Sequence, residues 1–302
     1  MDKPILEVRD LVIRFHDQSE NEEAVHGISF DMAPGKILGL VGESGSGKTV
    51  TALAIAGLLG QRAATVSGRI LFCGQDLLTL EPRQMRQVQG KRIGMVFQEP
   101  MTCMNPLMKV GKQVEEVLRI HTHQSPRERR ESALDALAAV EISDPERVYG
   151  QYPHELSGGM RQRAMLAAAI CYALHRKSHD LSACRSRPSA GTAPHAQTLH
   201  TPYEVLQGPE LLICDEPTTA LDVTTQAQIL ALLQKVNRDV GVGLLFISHD
   251  LGLVRRLCSR TIVMQDGYIV EQGDVEELFE RPQAAYTKQL LASLPGRGRR
   301  RE

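Results

Sequence analysis

The sequence lacks the features by which a chain enters or crosses a membrane. Its longest apolar run, AMLAAAICYAL (164–174), is about half as long as a membrane-spanning helix requires. The opening MDKPILEVRD is charged and has no apolar core of the kind found in a secretory leader. We therefore expect a cytoplasmic chain that would serve a membrane only from outside the bilayer.

Paired cysteines and an excess of charge are also missing. The six cysteines are scattered and form no C-x-x-C pair, which favours reduced thiols in a reducing compartment. The 35 basic and 36 acidic residues give a formal net charge of -1, so no overall field draws the chain to nucleic acid or anionic lipid. Only the tail RGRRRE (297–302) is locally basic, and we interpret it as a solvated terminus.

The sequence does contain alternating strand and helix patterns, and these predict an α/β fold. A continuous apolar run at 37–42 and the shorter apolar segments within 210–217 and 243–250 are typical of buried strands in a mostly parallel sheet. Helical periodicity follows two of these strands, at 48–59 and 224–240. The segment RTIVMQDGYIVEQGD (260–274) predicts a hairpin whose turn is Asp266-Gly267.

The predicted organisation is a single domain over about residues 1–280. Strand patterns at 5–15, 28–32 and 68–77 predict an N-terminal antiparallel β subdomain. Helical patterns predict a helical subdomain at about 100–170. A short C-terminal helix and the basic tail follow over 281–302.

The segment GESGSGKT (42–49) matches G-x-x-x-x-G-K-[ST], a phosphate-binding loop, between a buried strand and a helix. Its glycines allow backbone N–H groups to surround phosphate oxygens, and the helix N-terminus adds a positive dipole end. The lysine places a charge on the β- and γ-phosphates, and the threonine offers a hydroxyl to Mg²⁺. The candidate residues are Gly42, Glu43, Ser44, Gly45, Ser46, Gly47, Lys48 and Thr49.

Polar residues end several of the predicted strands, where ligands bind in open α/β sheets. In LLICDEP (211–217), Asp215 could bind Mg²⁺ and Glu216 could polarise the attacking water. Gln98 could contact both Mg²⁺ and that water, and His249 could contact the γ-phosphate. Each of these residues taken alone is more often structural, but their order along the chain favours a joint role.

The segment LSGGM (156–160) precedes a predicted helix and contains a hydroxyl next to two glycines. Ser157, Gly158 and Gly159 would present a hydroxyl and backbone donors at the helix N-terminus, an arrangement suited to phosphate. In isolation, a helix cap without a ligand would be the better interpretation.

Together, these motifs resemble the nucleotide-binding domain of ABC transporters, in the order Walker A, Q-loop, signature, Walker B, D-loop (TALD, 219–222) and H-loop. The resemblance implies a P-loop NTPase core sheet, ATP and Mg²⁺ as ligands, and an ATPase dimer. In such a dimer the signature residues complete the partner's site. The family also stacks an aromatic residue on adenine; Phe15 is the candidate here, with His16 as the alternative.

Within the family, VFQEPMTCMNPLMKVGKQVEE and DEPTTALDVTTQAQIL resemble the oligopeptide, dipeptide and nickel importers. That resemblance implies integral-membrane permease subunits as partners, contacted through EPMTCMNPL (99–107). It also implies a second ATPase subunit, an extracytoplasmic solute-binding protein as an indirect partner, and a peripheral location at the cytoplasmic face of the inner membrane. No nucleic-acid partner is expected. Peptide is the expected cargo, with nickel or another small solute as the alternative, and a non-transport ABC ATPase or an inactive structural subunit as further alternatives.

Residues 171–205 depart from the family pattern and are interpreted as an insertion at a helix-to-strand connection. The leading interpretation is a loosely packed loop, because long surface insertions cost little closure entropy. A damaging lesion is a second interpretation. A metal-binding or regulatory element is the third, with six candidate ligands: Cys171, His175, His179, Cys184, His195 and His200.

Overall fold

A computed structural model describes residues 3–16, 23–60, 62–99, 103–185, 209–219 and 221–293, with 175–185 described by backbone only. Ten strands lie in these ranges: β1 (Leu6–Phe15), β2 (Glu23–Met32), β3 (Ile37–Val41), β4 (Ala64–Phe72), β5 (Gln75–Asp76), β6 (Ile93–Val96), β7 (Leu211–Asp215), β8 (Gly243–Ser248), β9 (Arg260–Gln265) and β10 (Tyr268–Asp274).

The described helices surround and extend these strands. They are α1 (Lys48–Ile55), α2 (Pro82–Val88), α3 (Val110–Val114), α4 (Glu116–His121), α5 (Pro126–Ala139), α6 (Pro145–Gly150), α7 (Gly158–Arg185), α8 (Val223–Val240), α9 (Leu251–Leu257), α10 (Val275–Glu280) and α11 (Ala285–Ala292).

The central sheet has the strand order β10-β9-β3-β8-β7-β6. Its inner strands pair in parallel, and β10 pairs antiparallel with β9 at one edge. Every residue of β7 and β8 is buried, as expected for parallel strands covered on both faces. The predicted α/β class with a mostly parallel sheet is therefore confirmed.

A second sheet, in the order β2-β1-β4-β5, is antiparallel and forms the predicted N-terminal β subdomain. In β1 the buried residues shift from even to odd positions after Val8. A bulge near Asp10, which has φ 48°, causes this shift, so that the apolar side chains on both sides of it face the core. Leu6, Val8, Leu11 and Ile13 are consequently all buried. They pack with α1 and with one face of the central sheet in a single hydrophobic cluster.

The helical subdomain, α3 to α7, packs against the other face of the central sheet together with α8 to α11. Two of its helices, α5 and α6, begin at residues whose side chains cap them. Ser125 and Glu128 form a reciprocal capping box at α5, and the Asp144 carboxylate accepts the backbone N–H of Arg147 at α6. The predicted helical subdomain is thus present, although its last helix, α7, runs past the predicted boundary of about residue 170 to Arg185.

Two predicted boundaries were wrong for local reasons. The helix expected over 48–59 ends at Ile55, because the chain turns at Gly57 in the left-handed region, with φ 66°. The strand expected over 28–32 begins at Glu23, since the preceding residues pair with β1. Residues 23–27 lack a regular alternation of apolar and polar side chains, so the sequence pattern did not indicate that they form a strand.

The segment predicted as an insertion begins inside a helix. Helix α7 continues from the core through to Arg185, and Cys171 and Tyr172 are buried in it. The chain re-enters the sheet at Glu210, whose backbone N–H is donated to the Arg92 carbonyl at 2.8 Å. Residues 186–208 lie outside the described residues, so the insertion at 171–205 stays a prediction.

The packing of α3 gives a test of the helical subdomain. A Cβ on Gly111 would lie 2.0 Å from the Tyr149 ring, so Gly111→Ala should lower the free energy of unfolding by about 2 kcal/mol. Urea denaturation followed by circular dichroism measures this change. Gly150→Ala is the control, because no heavy atom lies within 4 Å of a Cβ there. Equal stability of the two variants would contradict this packing.

Candidate nucleotide-binding site

The loop from Gly42 to Gly47 joins the end of β3 to the start of α1. Gly47 has φ 94°, and a Cβ there would lie 2.8 Å from the carbonyl oxygen of Ala24. A side chain is therefore excluded at this position both by conformation and by space. The loop thus approaches the backbone of β2 closely as it enters the helix.

Lys48 lies inside this loop and is buried. Its ammonium donates to the Gly42 carbonyl at 2.9 Å, the Glu43 carbonyl at 2.6 Å and the Ser46 hydroxyl at 3.2 Å. Burial lowers the pKa of Lys48, and the nearby carboxylates of Glu216, Asp215 and Glu43 oppose that shift. A positive group with loop carbonyls as its neighbours is well placed to bind a phosphate that replaces them.

Thr49 and Asp215 meet across the sheet, with the Thr49 hydroxyl donating to an Asp215 carboxylate oxygen at 3.1 Å. Asp215 is buried, and burial raises its pKa while the hydrogen bond from Thr49 opposes the shift. Together with the side-chain amide of Gln98, these groups offer the hard oxygen donors that Mg²⁺ prefers. The residues present therefore fit Mg²⁺ chemistry, and Thr49, Gln98 and Asp215 are those that would hold it.

Glu216 lies at the junction of three strand ends. Its Oε2 is 3.1 Å from Gln98 Nε2, 3.1 Å from His249 Nδ1 and 2.8 Å from the Thr219 hydroxyl. Gln98, Glu216 and His249 closely follow the neighbouring parallel strands β6, β7 and β8. They therefore meet at the C-terminal ends of these strands. Glu216 also has φ 44°, a strained conformation of the kind that concentrates at functional sites.

Several of these groups line a pocket of about 510 Å³, although Asp215 and His249 are not among its lining residues. The predicted residues that line it are Phe15, Ser44, Gly45, Gly47, Lys48, Thr49, Gln98 and Glu216. Phe15 stands at the end of β1 and contributes its aromatic ring. His16, the alternative to Phe15, is not among the lining residues; its ring nitrogens lie 2.7 Å from the Thr65 hydroxyl and 3.2 Å from the Arg62 carbonyl.

The pocket also contains residues that the sequence reasoning missed. Glu23, His26 and Asp266 line it; Glu23 lies 3.0 Å from the His26 ring, and that ring stacks on Tyr268. The predicted Asp266-Gly267 turn was the available signal, but nothing in the sequence placed it against β2. The structure does so through a hydrogen bond that the backbone N–H of His26 donates to the Gly267 carbonyl, at 3.0 Å.

Ser157, Gly158 and Gly159 are absent from the lining of this pocket. The Ser157 hydroxyl accepts the backbone N–H of Met160 at 3.3 Å, at the start of α7. A Cβ on Gly159 would lie 2.9 Å from Thr225 on α8. The predicted signature residues are therefore brought together with the start of α8 and not with the chain's own phosphate loop.

The candidate ligands in 171–205 divide at the boundary of the described side chains. Cys171 is a core residue, and burial raises the pKa of its thiol to about 12. The side chains of His175, His179, Cys184, His195 and His200 lie outside the described part. Among the side chains that are described, no group of three or more His, Cys, Asp and Glu residues could hold a metal ion.

Comparison with known proteins gives consistent results. The protein-family profile described as "ABC transporter" matches residues 25–174. A probable peptide ABC transporter ATP-binding protein of Sinorhizobium fredii is 46% identical over 299 residues, which cover 99% of this chain and 79% of that protein. The oligopeptide transport ATP-binding protein of Bacillus subtilis is 42% identical over 292 residues, covering 96% and 72% respectively.

Solved structures share the fold. An ATP-binding cassette in a dimeric post-hydrolysis state, bound to ADP and Pi, superposes with a TM-score of 0.70 at 24% identity, covering 89% of this chain and 98% of that one. A cassette from Clostridium perfringens that is part of an ABC transporter complex gives 0.68 at 23% identity, covering 93% and 92%. Across the described residues, no helix has the length and apolar character to span a bilayer.

Substitution of Phe15 tests the part of the pocket that is expected to bind the adenine ring. Phe15→Ala should weaken binding of Mg-ATP about tenfold, because a base that stacks on the ring would lose that contact. Titration with a fluorescent ATP analogue measures the dissociation constant. Phe15→Tyr keeps the ring and should bind as the unaltered chain does. Unchanged affinity in the alanine variant would remove Phe15 from the site.

Proposed function

The chain belongs to the ABC transporter family of ATP-binding proteins, and on that premise we propose that it hydrolyses ATP to drive peptide uptake through a separate membrane permease. The observation that carries this proposal is the meeting of Glu216 with Gln98 and His249 beside Lys48, Thr49 and Asp215. This arrangement contains a phosphate-binding group, oxygen donors for a cation and a carboxylate base in one pocket.

In the proposed reaction, Lys48 and the loop amides bind the phosphates of ATP. Bound Mg²⁺ would neutralise charge on the β- and γ-phosphates. Glu216 accepts a hydrogen bond from the attacking water and takes its proton. Gln98 and His249 contact the same carboxylate oxygen, so they orient Glu216 and the water against the γ-phosphate.

The active form in this proposal contains two ATPase subunits. Ser157, Gly158 and Gly159 do not line the chain's own pocket, so in this proposal they do not contact the nucleotide bound in that pocket. Placed opposite the phosphate loop of a second subunit, their hydroxyl and backbone N–H groups would contact the γ-phosphate held by that subunit. The second subunit is a copy of this chain or a homologue.

An apolar groove between the sheet and the helical subdomain supports a permease partner. It has a volume of about 320 Å³, and Leu58, Phe97, Cys103, Met104 and Val117 are among its lining residues. Nearby in sequence, Leu107 is 88% exposed, so it offers further apolar surface that a partner would cover. We propose that this region contacts the cytoplasmic surface of the permease and that the chain therefore lies peripherally at the inner membrane.

Peptide is the proposed cargo because the relatives compared above are named for peptide or oligopeptide transport. Those names favour peptide over nickel, and a solute-binding protein outside the membrane would select the peptide. The apolar groove also favours a transporter subunit over a non-transport ABC ATPase, since a permease would bury it.

The proposed base gives the sharpest test of the reaction. Glu216→Gln should lower phosphate release at least about a hundredfold, because an amide cannot take the proton of the attacking water. Its affinity for Mg-ATP should be retained, since the phosphate-binding groups are unchanged. Release of phosphate and a binding titration measure the two effects separately.

The matched control is Glu280→Gln, the same change at an exposed residue of α10 that does not line the pocket. It should hydrolyse ATP at the rate of the unaltered chain. Normal turnover in Glu216→Gln would remove this residue from the role of base.

The permease surface is tested by Leu107→Glu, which places a charge in the assigned contact. Burying an unpaired charge is costly, so less of this variant should co-purify with the permease from detergent. Ile120→Glu makes the same change at another exposed apolar residue, 62% accessible and on α4, and should co-purify normally. Equal recovery of the two variants would exclude Leu107 from the interface.

A further inference from the structure

A tyrosine from the C-terminal helix contacts the phosphate-binding loop. The hydroxyl of Tyr286, on α11, accepts a hydrogen bond from the backbone N–H of Glu43 at 3.0 Å. The two residues are 243 positions apart, and Tyr286 is 9% exposed. This partly buried hydrogen bond joins distant parts of the chain. It fixes one loop amide relative to the C-terminal unit, which we define as residues 260–292, from β9 to α11.

The peptide groups on either side of the Glu43 Cα are both bonded. The Glu43 N–H is held by Tyr286, and the Glu43 carbonyl accepts the Lys48 ammonium at 2.6 Å. When Lys48 turns to a phosphate it gives up loop carbonyls as partners. The bond to Tyr286 does not depend on Lys48 and can hold this part of the loop in place during that exchange.

Helix α11 is itself firmly positioned. The Glu271 carboxylate, on β10, accepts the backbone N–H groups of Gln283 at 2.8 Å and Ala284 at 3.0 Å, just before the helix begins. Leu291 of α11 is buried in the core cluster. Tyr286 therefore extends from a helix that is tied both to the edge strand and to the core.

The same C-terminal unit contacts the loop at a second point. The Gly267 N–H, in the turn between β9 and β10, is donated to the Ser46 carbonyl at 3.3 Å. The phosphate loop is thus bonded near its start through Glu43 and near its end through Ser46. Burial raises the pKa of Tyr286, so the phenol stays neutral and does not repel the phosphates.

We propose that Tyr286 is a positioning residue for ATP binding, which holds the Glu43 end of the phosphate loop in its binding conformation before ATP arrives. The proposal rests on the function proposed above, in which this loop binds ATP. A loop that is already ordered loses less conformational freedom on binding, and that difference appears as affinity. Among the described residues, Tyr286 makes no hydrogen bond to Gln98, Glu216 or His249, so the effect is expected on binding and not on the chemical step.

The test is Tyr286→Phe in the full chain, which removes the hydroxyl and keeps the ring. Tyr149→Phe is the matched control, because Tyr149 is 8% exposed and its hydroxyl donates to Glu115 at 3.0 Å, within the helical subdomain. The Michaelis constant for Mg-ATP, the turnover number and the urea unfolding midpoint are measured for both variants and the unaltered chain.

Tyr286→Phe should raise the Michaelis constant about fivefold, the size expected for one net hydrogen bond, with little change in turnover number. Tyr149→Phe should leave both kinetic constants unchanged. Both variants should lower the urea unfolding midpoint by similar amounts, because each loses one hydrogen bond of its tyrosine hydroxyl. Equal Michaelis constants in the two variants, with the unaltered chain binding ATP normally, would overturn the proposal for Tyr286. Failure of the unaltered chain to bind Mg-ATP would instead overturn the proposed function.

Amide hydrogen exchange of the unaltered chain provides a second measurement that needs no variant. The Glu43 amide should exchange slowly in the absence of nucleotide, since its N–H is bonded to a buried side chain. Exchange at the rate of an unstructured peptide would overturn the proposal even if Tyr286→Phe failed to fold.

Discussion

The parallel register of β6, β7, β8 and β3 is the constraint on which the site depends. Register pairs Asp215 of β7 with Ile247 of β8, and Val41 of β3 with Ser248 of β8. The residues that follow these pairs therefore lie at the C-terminal ends of the strands, where the phosphate loop, Glu216 and His249 are close together. A shift of one residue in β7 would exchange its faces and separate Glu216 from its partners.

The elements that could be predicted from the sequence are those governed by local patterns. Buried apolar runs located β3, β7 and β8, and the loop at 42–49 fixed the start of α1 almost to the residue. The places of His26 and Tyr286 could not be predicted in this way. They reach the site through pairings of β2 and α11 with distant segments, and such contacts leave no periodic trace in a single sequence.

The first residues of the stretch at 171–205 and Glu210, which follows the stretch, are both well anchored. On one side, Cys171 and Tyr172 belong to the core face of α7. On the other, Glu210 is fixed by its backbone bond to Arg92 and by an ion pair with the Arg92 guanidinium at 2.6 Å. Core packing holds the α7 side, and the bonds of Glu210 hold the β7 side. The predicted insertion would need such anchors to leave β7, whose far end carries Asp215, in place.

Uptake of peptide into vesicles that contain this chain with its permease and partner ATPase, supplied with the solute-binding protein, is the most direct test of the account. Uptake should require hydrolysable ATP and should stop when a non-hydrolysable analogue replaces it. Steady ATP hydrolysis without peptide uptake would contradict the proposed cargo. Uptake that continues with the analogue would contradict the claim that hydrolysis at Glu216 drives transport.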